Sequence, residues 1–217
     1  MKSVVLIESN SYDPEFNLSM DEYLLFLTGK GIMNGTVRFY KNRDCVVIGR
    51  FQKEEFEANL EFLKENGINI VARISGGGAV FQDLGNLNIS VTIENIFSKT
   101  QNLKEEMIML SSAILCALES FGINGIVGDR GEILVDGKKI SGCAASIRYN
   151  AMLYHATLLL HVDLEKLRLA LSPSYEYPED FKFIKSMRSK VMNINETAFI
   201  DEEELKKRIY REIVKII

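Results

Sequence analysis

Apolar residues recur along this chain with two different periods, and the changes of period divide it into elements. Lys2 to Glu8 contains the compact run Val4-Val5-Leu6-Ile7 and reads as a buried strand. Beyond Asp13-Pro14, Met20, Leu24 and Leu27 step by four and three residues. That spacing predicts a helix with Asn17 or Ser19 as its cap and with Gly29 and Gly31 at its end. From Thr36 to Lys41, Val37 and Phe39 alternate with Arg38 and Tyr40, and Cys45 to Ile48 forms a second strand. Asn42-Arg43-Asp44 reads as the hairpin turn between them. Helical spacing returns over Glu54 to Asn66 through Phe56, Leu60 and Leu63, and Gly67 stops it.

Two strand-like segments, Ile68 to Arg73 and Leu87 to Ile93, flank a glycine-rich stretch. The longest helical pattern follows over Asn102 to Phe121, closed by Gly122. Ile123 to Val162 reads as sheet, with tight turns at Asp136-Gly137 and Asn150. Asp163 caps a short helix through Leu171, and Ser172-Pro173 to Pro178 is a loop. Asp201 with Glu202 to Glu204 starts a last amphipathic helix bearing Leu205, Ile209, Ile213 and Ile216. Antiparallel hairpins with segregated helices predict an α+β fold, a mixed and mainly antiparallel sheet with flanking helices. No repeat, low-complexity tract or linker divides the 217 residues, so residues 1–217 are expected to form a single domain.

Composition narrows the class. Hydrophobic content of 47% and charged content of 26% are ordinary for a globular protein. A net charge of -4 argues against a nucleic-acid partner, whose backbone demands a basic surface. The first apolar run is too short for a signal peptide and none is long enough to span a bilayer, so a cytoplasmic protein without membrane contact is expected. Cys45, Cys116 and Cys143 are scattered and lack metal-ligand spacing. They read as reduced thiols, Cys45 and Cys116 as core residues, and no metal site is expected from them.

Chemistry concentrates in three segments. The first is Arg73-Ile74-Ser75-Gly76-Gly77-Gly78-Ala79-Val80-Phe81-Gln82-Asp83-Leu84-Gly85-Asn86-Leu87. Three consecutive glycines are costly to order, and a chain keeps them where its backbone approaches something closely. Their bare amides, with Arg73 and Ser75 at the lip, can face an anion. No Lys-Ser or Lys-Thr follows for a Walker loop, and a strand rather than a helix follows, which excludes a dinucleotide fingerprint. A plain glycine hairpin is the alternative. Arg73, Ser75, Asp83, Asn86 and Asn88 around it favour a binding site. The second segment is Asp136-Gly137-Lys138-Lys139-Ile140-Ser141-Gly142. Strand alternation puts Lys138 and Lys139 on opposite faces, with Lys139 the candidate for an inward charge. The third runs from His155 to His161; His155 can line a cleft, and His161 reads as a core residue.

In this order, these segments resemble the lipoate–protein ligase A family, within the group that also holds lipoyl/octanoyl transferases and biotin–protein ligases. The resemblance covers nearly the whole chain. It includes Asn17 to Glu22, Val46 to Gln52, the Arg73 to Asn88 signature, Lys139 to Gly142, His155 to Leu159 and the late motif Ser189-Lys190-Val191-Met192-Asn193. It implies a catalytic domain of the class II aminoacyl-tRNA synthetase/biotin synthetase type. It further implies activation of lipoate or octanoate by ATP, with Mg2+, to an acyl-adenylate. The acyl group then passes to a lysine of a lipoyl carrier domain. On this resemblance Lys139 is the catalytic residue, bridging acyl carbonyl and phosphate. Arg73, Ser75, Gly76, Gly77, Gly78, Ala79, Val80, Phe81, Asp83, Asn86 and His155 join it in the nucleotide and acyl-adenylate site, with Arg73 facing the phosphates.

Three departures matter. Gln82 stands where the family usually has histidine, and Ala72 where a second arginine is frequent. The chain ends at Ile217, without room for the accessory C-terminal domain of bacterial ligases, so it reads either as a catalytic subunit with a separate accessory subunit as partner or as a transferase that uses preformed adenylate. Two other readings stay open. One is an octanoyl or lipoyl transferase working without ATP through a cysteine thioester, for which Cys143 is the candidate. The other is a non-catalytic lipoyl-binding module, which two retained cations, Arg73 and Lys139, argue against.

Overall fold

The computed structural model describes residues 4–94, 102–178 and 185–217. Among the described residues, ten strands are distributed over two sheets. The first strand, β1 (Val5–Glu8), is followed by helix α1 (Pro14–Gly29), β2 (Gly35–Tyr40), β3 (Cys45–Ile48) and two short helices, α2 (Glu54–Glu57) and α3 (Leu60–Glu65). Next come β4 (Asn69–Ala72), β5 (Val80–Gln82), β6 (Asn86–Glu94) and the long helix α4 (Leu103–Glu119). Strands β7 (Ile126–Val127), β8 (Ile133–Val135), β9 (Lys138–Arg148) and β10 (Ala151–Leu159) precede α5 (Leu164–Ala170) and α6 (Glu202–Val214). The large sheet has the order β1-β2-β6-β10-β9-β8-β7, antiparallel except for the β1/β2 pair. The small sheet has β3 at its centre, parallel to β4 and antiparallel to β5. The expected α+β class holds.

Period-two alternation gives the large sheet two unlike faces. Leu87, Ile89, Val91 and Ile93 of β6 turn to one side with Val37, Phe39, Met152, Tyr154 and Leu158. There they meet Leu110, Ile114 and Leu118 of α4 and Leu205, Ile209 and Ile213 of α6 in the main core. The intervening positions, Arg38, Tyr40, Asn88, Ser90 and His155, belong to the opposite face, where α1 packs against β6 and β10. The site is built on this second, polar face.

Most predicted element ends hold. Asn102, Asp163 and Asp201 accept backbone N–H bonds as helix caps. The Asp136-Gly137 and Tyr149-Asn150 turns adopt the positive φ of two-residue hairpins. Several expectations are corrected. Asp13 caps α1 by accepting from Phe16 N at 2.9 Å, whereas Asn17 is fully buried. The inward face of α1 carries Asn17, Asp21, Leu24, Leu25 and Thr28, not a Met20-Leu24-Leu27 stripe. The helix expected over Glu54 to Asn66 is broken at Ala58-Asn59, where Asn59 caps α3 by accepting from Phe62 N. No hairpin joins β2 to β3, because the two strands lie in different sheets. The first strand is an exposed edge, with Val5 and Leu6 each 40% accessible, and Lys2 and Ser3 lie outside the described residues. Cys116 is exposed, whereas Cys45 is buried as expected. Among the described residues no helix is long and apolar enough to cross a membrane.

Candidate active site

The glycine segment is a crossover, not a hairpin. It leaves β4 on one side of β3 and returns as β5 on the other, so it must pass over the end of β3. Gly49, just beyond β3, lies beneath it: a Cβ there would stand 2.2 Å from the Gly77 carbonyl oxygen. Only glycine permits that approach. Gly77 has φ +90°, which also suits glycine.

Arg73 is buried under its own loop. Its Nε donates to Ser75 Oγ and the Gly76 carbonyl, its Nη2 to the carbonyls of Gly76 and Gly78 at 2.7 Å, and its Nη1 to Val47 O. Loop carbonyls and Val47 O engage the guanidinium, which also borders a cavity shared with His155 and Lys139. It shapes the loop from within. Burial lowers its pKa to about 10, against the opposing pull of the Tyr40 and Glu57 charges.

Ser75 continues the chain of contacts, its Oγ lying 2.6 Å from His155 Nε2. The Ser75 hydroxyl also accepts from Arg73 Nε and lies 3.4 Å from the Gly76 carbonyl oxygen, to which it donates. Burial, then the Arg73 charge, lower the His155 pKa and favour a neutral ring. On its other side His155 Nδ1 stands 3.9 Å from Asp21 Oδ2, too far for a direct hydrogen bond. Asp21 is itself fully enclosed. It accepts from Arg38 Nη1 at 2.6 Å, Ser90 Oγ at 2.7 Å and Tyr40 OH at 3.0 Å. Burial pushes the Asp21 carboxyl up, but His155, the Arg38 charge and the Ser90 bond together hold it below the usual carboxylate value. A continuous polar path therefore leads from α1 to the glycine loop.

Lys139 enters from the large sheet. Lys138 is exposed and Lys139 is partly buried, as strand alternation requires. Its backbone is braced by the late motif: Lys139 N donates to Lys190 O at 2.8 Å and Met192 N donates to Lys139 O at 3.2 Å. Asn193 anchors that motif through both backbone groups of Val162. Burial lowers the Lys139 pKa, while the Glu132 charge works against that shift.

Two cavities meet at Lys139. The larger, about 630 Å³, is walled by Ala79, Val80, Phe81, Phe56 and Tyr177. It also carries five cations, Lys139, Arg168, Lys185, Arg188 and Lys190, against Glu57 and Glu176. The smaller, about 400 Å³, is bounded by Gly76 to Val80, Arg73, Gln82, Asn88, Cys143 and His155, with apolar wall from Leu18, Val47, Ala144 and Ala156. Lys139, Ala79, Val80, Gly142 and Thr157 line both. The fold thus brings together Lys139, Arg73, Gly76 to Phe81 and His155, and brings Ser75 to the His155 ring.

Asp83 and Asn86, expected in the site, line neither cavity. Asp83 accepts from Gly85 N and Asp163 N, tying the β5–β6 turn to the start of α5. Asn86 is buried and donates to Asn88 Oδ1. Asp83 is a turn-former, as Asp commonly is beside a glycine, whereas Asn86 opens β6. Cys143 does line the smaller cavity, but burial raises its thiol pKa, which disfavours the thiolate a thioester mechanism needs.

Sequence reasoning missed Ser186, Gln52 and Glu57. Ser186 Oγ accepts from Ala79 N at 2.7 Å and from Gln52 Nε2 at 3.1 Å, while Glu57 accepts from Ser186 N and Tyr177 OH. Gln52 sits inside a matching segment, whereas no local pattern marks Ser186. No group of three or more His, Cys, Asp or Glu side chains able to hold a metal ion occurs among the described residues.

Comparison with known proteins agrees with this geometry. The lipoyl protein ligase A/B catalytic domain model matches residues 13–214. A lipoate-protein ligase A from Blochmanniella pennsylvanica is 38% identical over 201 residues, covering 90% of this chain and 56% of that protein. The chain spans between half and two thirds of the length of the first curated relatives it matches. A crystal structure of lipoate-protein ligase A bound with ATP superposes with a TM-score of 0.81 at 27% identity, covering 99% of this chain and 85% of the other. The bi-partite lipoate protein ligase from Thermoplasma acidophilum, studied with its E2 lipoyl domain, superposes at 0.80 with 25% identity, covering 99% and 84%.

Proposed function

Because the chain belongs to the lipoyl protein ligase A/B catalytic domain family, we propose that it uses ATP to activate lipoate or octanoate as an acyl-adenylate and passes the acyl group to a lysine of a lipoyl carrier domain. The observation that carries this reading is the position of Lys139 at the junction of two cavities, the larger walled by Phe56, Phe81 and Tyr177 with five cations, the smaller bearing Arg73, Arg130 and Lys185 beside an apolar wall of Leu18, Val47, Ala144 and Ala156. The larger cavity suits a nucleotide. Its aromatic walls fit a flat base, and its five cations offset the phosphates. The smaller suits the acyl chain, with its carboxylate emerging at Lys139.

In the first step a carboxylate oxygen attacks the α-phosphorus. A carbon-bound oxygen–phosphorus bond forms, and the bond to the β-phosphate breaks with release of pyrophosphate. Two anions must approach, so positive charge and positioning dominate the barrier. The Lys139 ammonium is placed between them. In the second step the carrier amine attacks the acyl carbon, and Lys139 stabilises the oxyanion until AMP departs and an amide remains. The Ala79 amide is a further donor at the same junction, now satisfied by Ser186. Mg2+ would enter with the nucleotide phosphates, since among the described residues no group of three or more His, Cys, Asp or Glu could hold it; no step is assigned to it.

A separate accessory subunit is a proposed partner, by analogy with the bi-partite ligase of Thermoplasma acidophilum. Residues 1–217 act as one catalytic unit. The test is incubation of purified protein with lipoate, Mg-ATP and an apo carrier domain. Pyrophosphate release with carrier lipoylation is expected, directly or once the accessory subunit is added. Acylation from octanoyl carrier protein without ATP, abolished by Cys143→Ser, would overturn it.

A further inference from the structure

The smaller cavity contains a polar group whose direction is set three residues away. Arg38 is buried, and a guanidinium can only donate hydrogen bonds. It donates through Nη2 to Asn17 Oδ1. Asn17 must then present Nδ2 on its other side, where it donates to the carbonyls of Ser11 and Lys41 and, at 2.8 Å, to Asn42 Oδ1. Asn42 in turn has only Nδ2 left, and it donates to Gln82 Oε1 at 2.7 Å. Every member of this relay is less than a tenth exposed. An isolated buried amide can usually be turned end for end, but this series cannot, because its first member has no acceptor.

The consequence falls on Gln82. Its oxygen is used, so what remains is the Nε2 donor, and Gln82 lies on the wall of the smaller cavity. Its Nε2 makes no hydrogen bond to any described residue. Asn88, on the same wall, carries a buried amide nitrogen without a partner among the described residues. The Gln82 donor therefore faces the cavity, open to an acceptor on a bound ligand.

We propose that Gln82 is a specificity-determining donor of the smaller cavity. The Arg38–Asn17–Asn42 relay holds its amide so that the bound acid must offer a hydrogen-bond acceptor. The proposal rests on the acyl-site reading above. For a lipoyl-type acid the acceptor is either a carboxyl oxygen or a dithiolane sulfur, and octanoate, which lacks the sulfur, separates the two.

The experiment is calorimetric titration of the whole chain with lipoate and with octanoate, in the absence of ATP. Gln82→Met keeps the volume and removes the donor. Gln82→Glu keeps the acceptor for Asn42 and replaces the donor by an oxygen. Asn42→Asp leaves the cavity wall untouched and obliges the Gln82 amide to turn its nitrogen toward the new carboxylate. All three are expected to weaken lipoate binding, Gln82→Met by ~5- to 150-fold. Equal loss for both acids identifies the carboxyl oxygen as the acceptor, and loss for lipoate alone identifies the sulfur; either supports the proposal. Gln82→Met and Gln82→Glu proteins that bind both acids within about twofold of wild type, a change too small for a lost buried bond, would overturn it. Wild-type protein that binds neither acid refutes the acyl-site reading, and the proposal with it.

Discussion

Replacing Gly49 by alanine measures how closely the glycine loop must be held. The added Cβ would lie 2.2 Å from Gly77 O and 3.2 Å from the carbonyl carbons of Gly76 and Gly77. All three are backbone atoms, so no side-chain rotation relieves the clash. Reaching ordinary contact requires the loop to retreat by about 1 Å. Arg73 resists that movement, because its guanidinium grips the Gly76 and Gly78 carbonyls at 2.7 Å. Overpacking of this kind costs about 1–3 kcal/mol, which a domain of this size survives. The larger effect is expected on the reaction, since a 1 Å misplacement of reacting groups costs on the order of 100-fold. Pyrophosphate release should therefore show kcat/KM reduced by about 100-fold, while the urea midpoint shifts only modestly. Gly122→Ala is the control. Its φ of +79° with open space around it predicts backbone strain of about 1–2 kcal/mol and an unchanged rate. A Gly49→Ala protein with kcat/KM near wild type would refute the claim that the loop position governs the chemistry.

Four further outcomes are expected. Lys139→Ala should abolish carrier lipoylation with its thermal midpoint nearly unchanged, and retained transfer would remove Lys139 from the mechanism. Cys143→Ser should leave ATP-dependent transfer intact, because burial keeps that thiol protonated; lost activity would revive the thioester route. Asp21→Ala leaves the Arg38 guanidinium buried without its carboxylate, and chemical denaturation should show a loss of about 3–5 kcal/mol; a loss below about 1 kcal/mol, the scale of a surface pair, contradicts the network. The His155 pKa is lowered in the fold from 6.5, so below that value the unfolded chain binds more protons and stability falls as pH falls. Above about pH 6.5 this contribution is fully present. His155→Gln should flatten the decline on the acid side, and identical pH profiles for the two proteins would contradict a neutral buried ring.

Element types and most caps were legible in the sequence because they are local. Asp163 and Asp201 need only their own first turns, and Asp136-Gly137 needs only its own φ angles. Strand partnership was not legible. Nothing within Asn42 to Asp44 says that the chain is leaving one sheet for another, and Asn42 is held there by Asn17 and Gln82, 25 and 40 residues distant. The same holds in the site. The sequence nominated Arg73 for its charge and Lys139 for its place in a strand. Only the fold shows that Val47 and the loop carbonyls claim the first, whereas the second stands between two cavities. Asp83 and Asn86 were nominated by proximity in sequence to the glycines; turn bonds explain Asp83, whereas Asn86 opens β6 and pairs with Asn88.

The residues that mislead a hydrophobic reading are the ones that build the site. Along β6, apolar Leu87, Ile89, Val91 and Ile93 alternate with Asn86, Asn88, Ser90 and Thr92, and the strand is buried on both faces except at Glu94. A surface strand with that alternation would show its polar residues to water. Here they meet α1, whose inward positions are Asn17, Asp21 and Thr28 besides two leucines. Thr28 and Thr36 both bond Thr92, and Asp21 bonds Ser90. Polar groups removed from water must find partners, and each fixes the next in direction as well as in place. Such a layer adds less stability than an apolar one of equal volume, because desolvation offsets much of the bonding. What it adds is orientation: Asp21 borders His155, His155 bonds Ser75, and Asn42 sets Gln82. The alternation along β6 is, in the folded chain, the frame that aims the site.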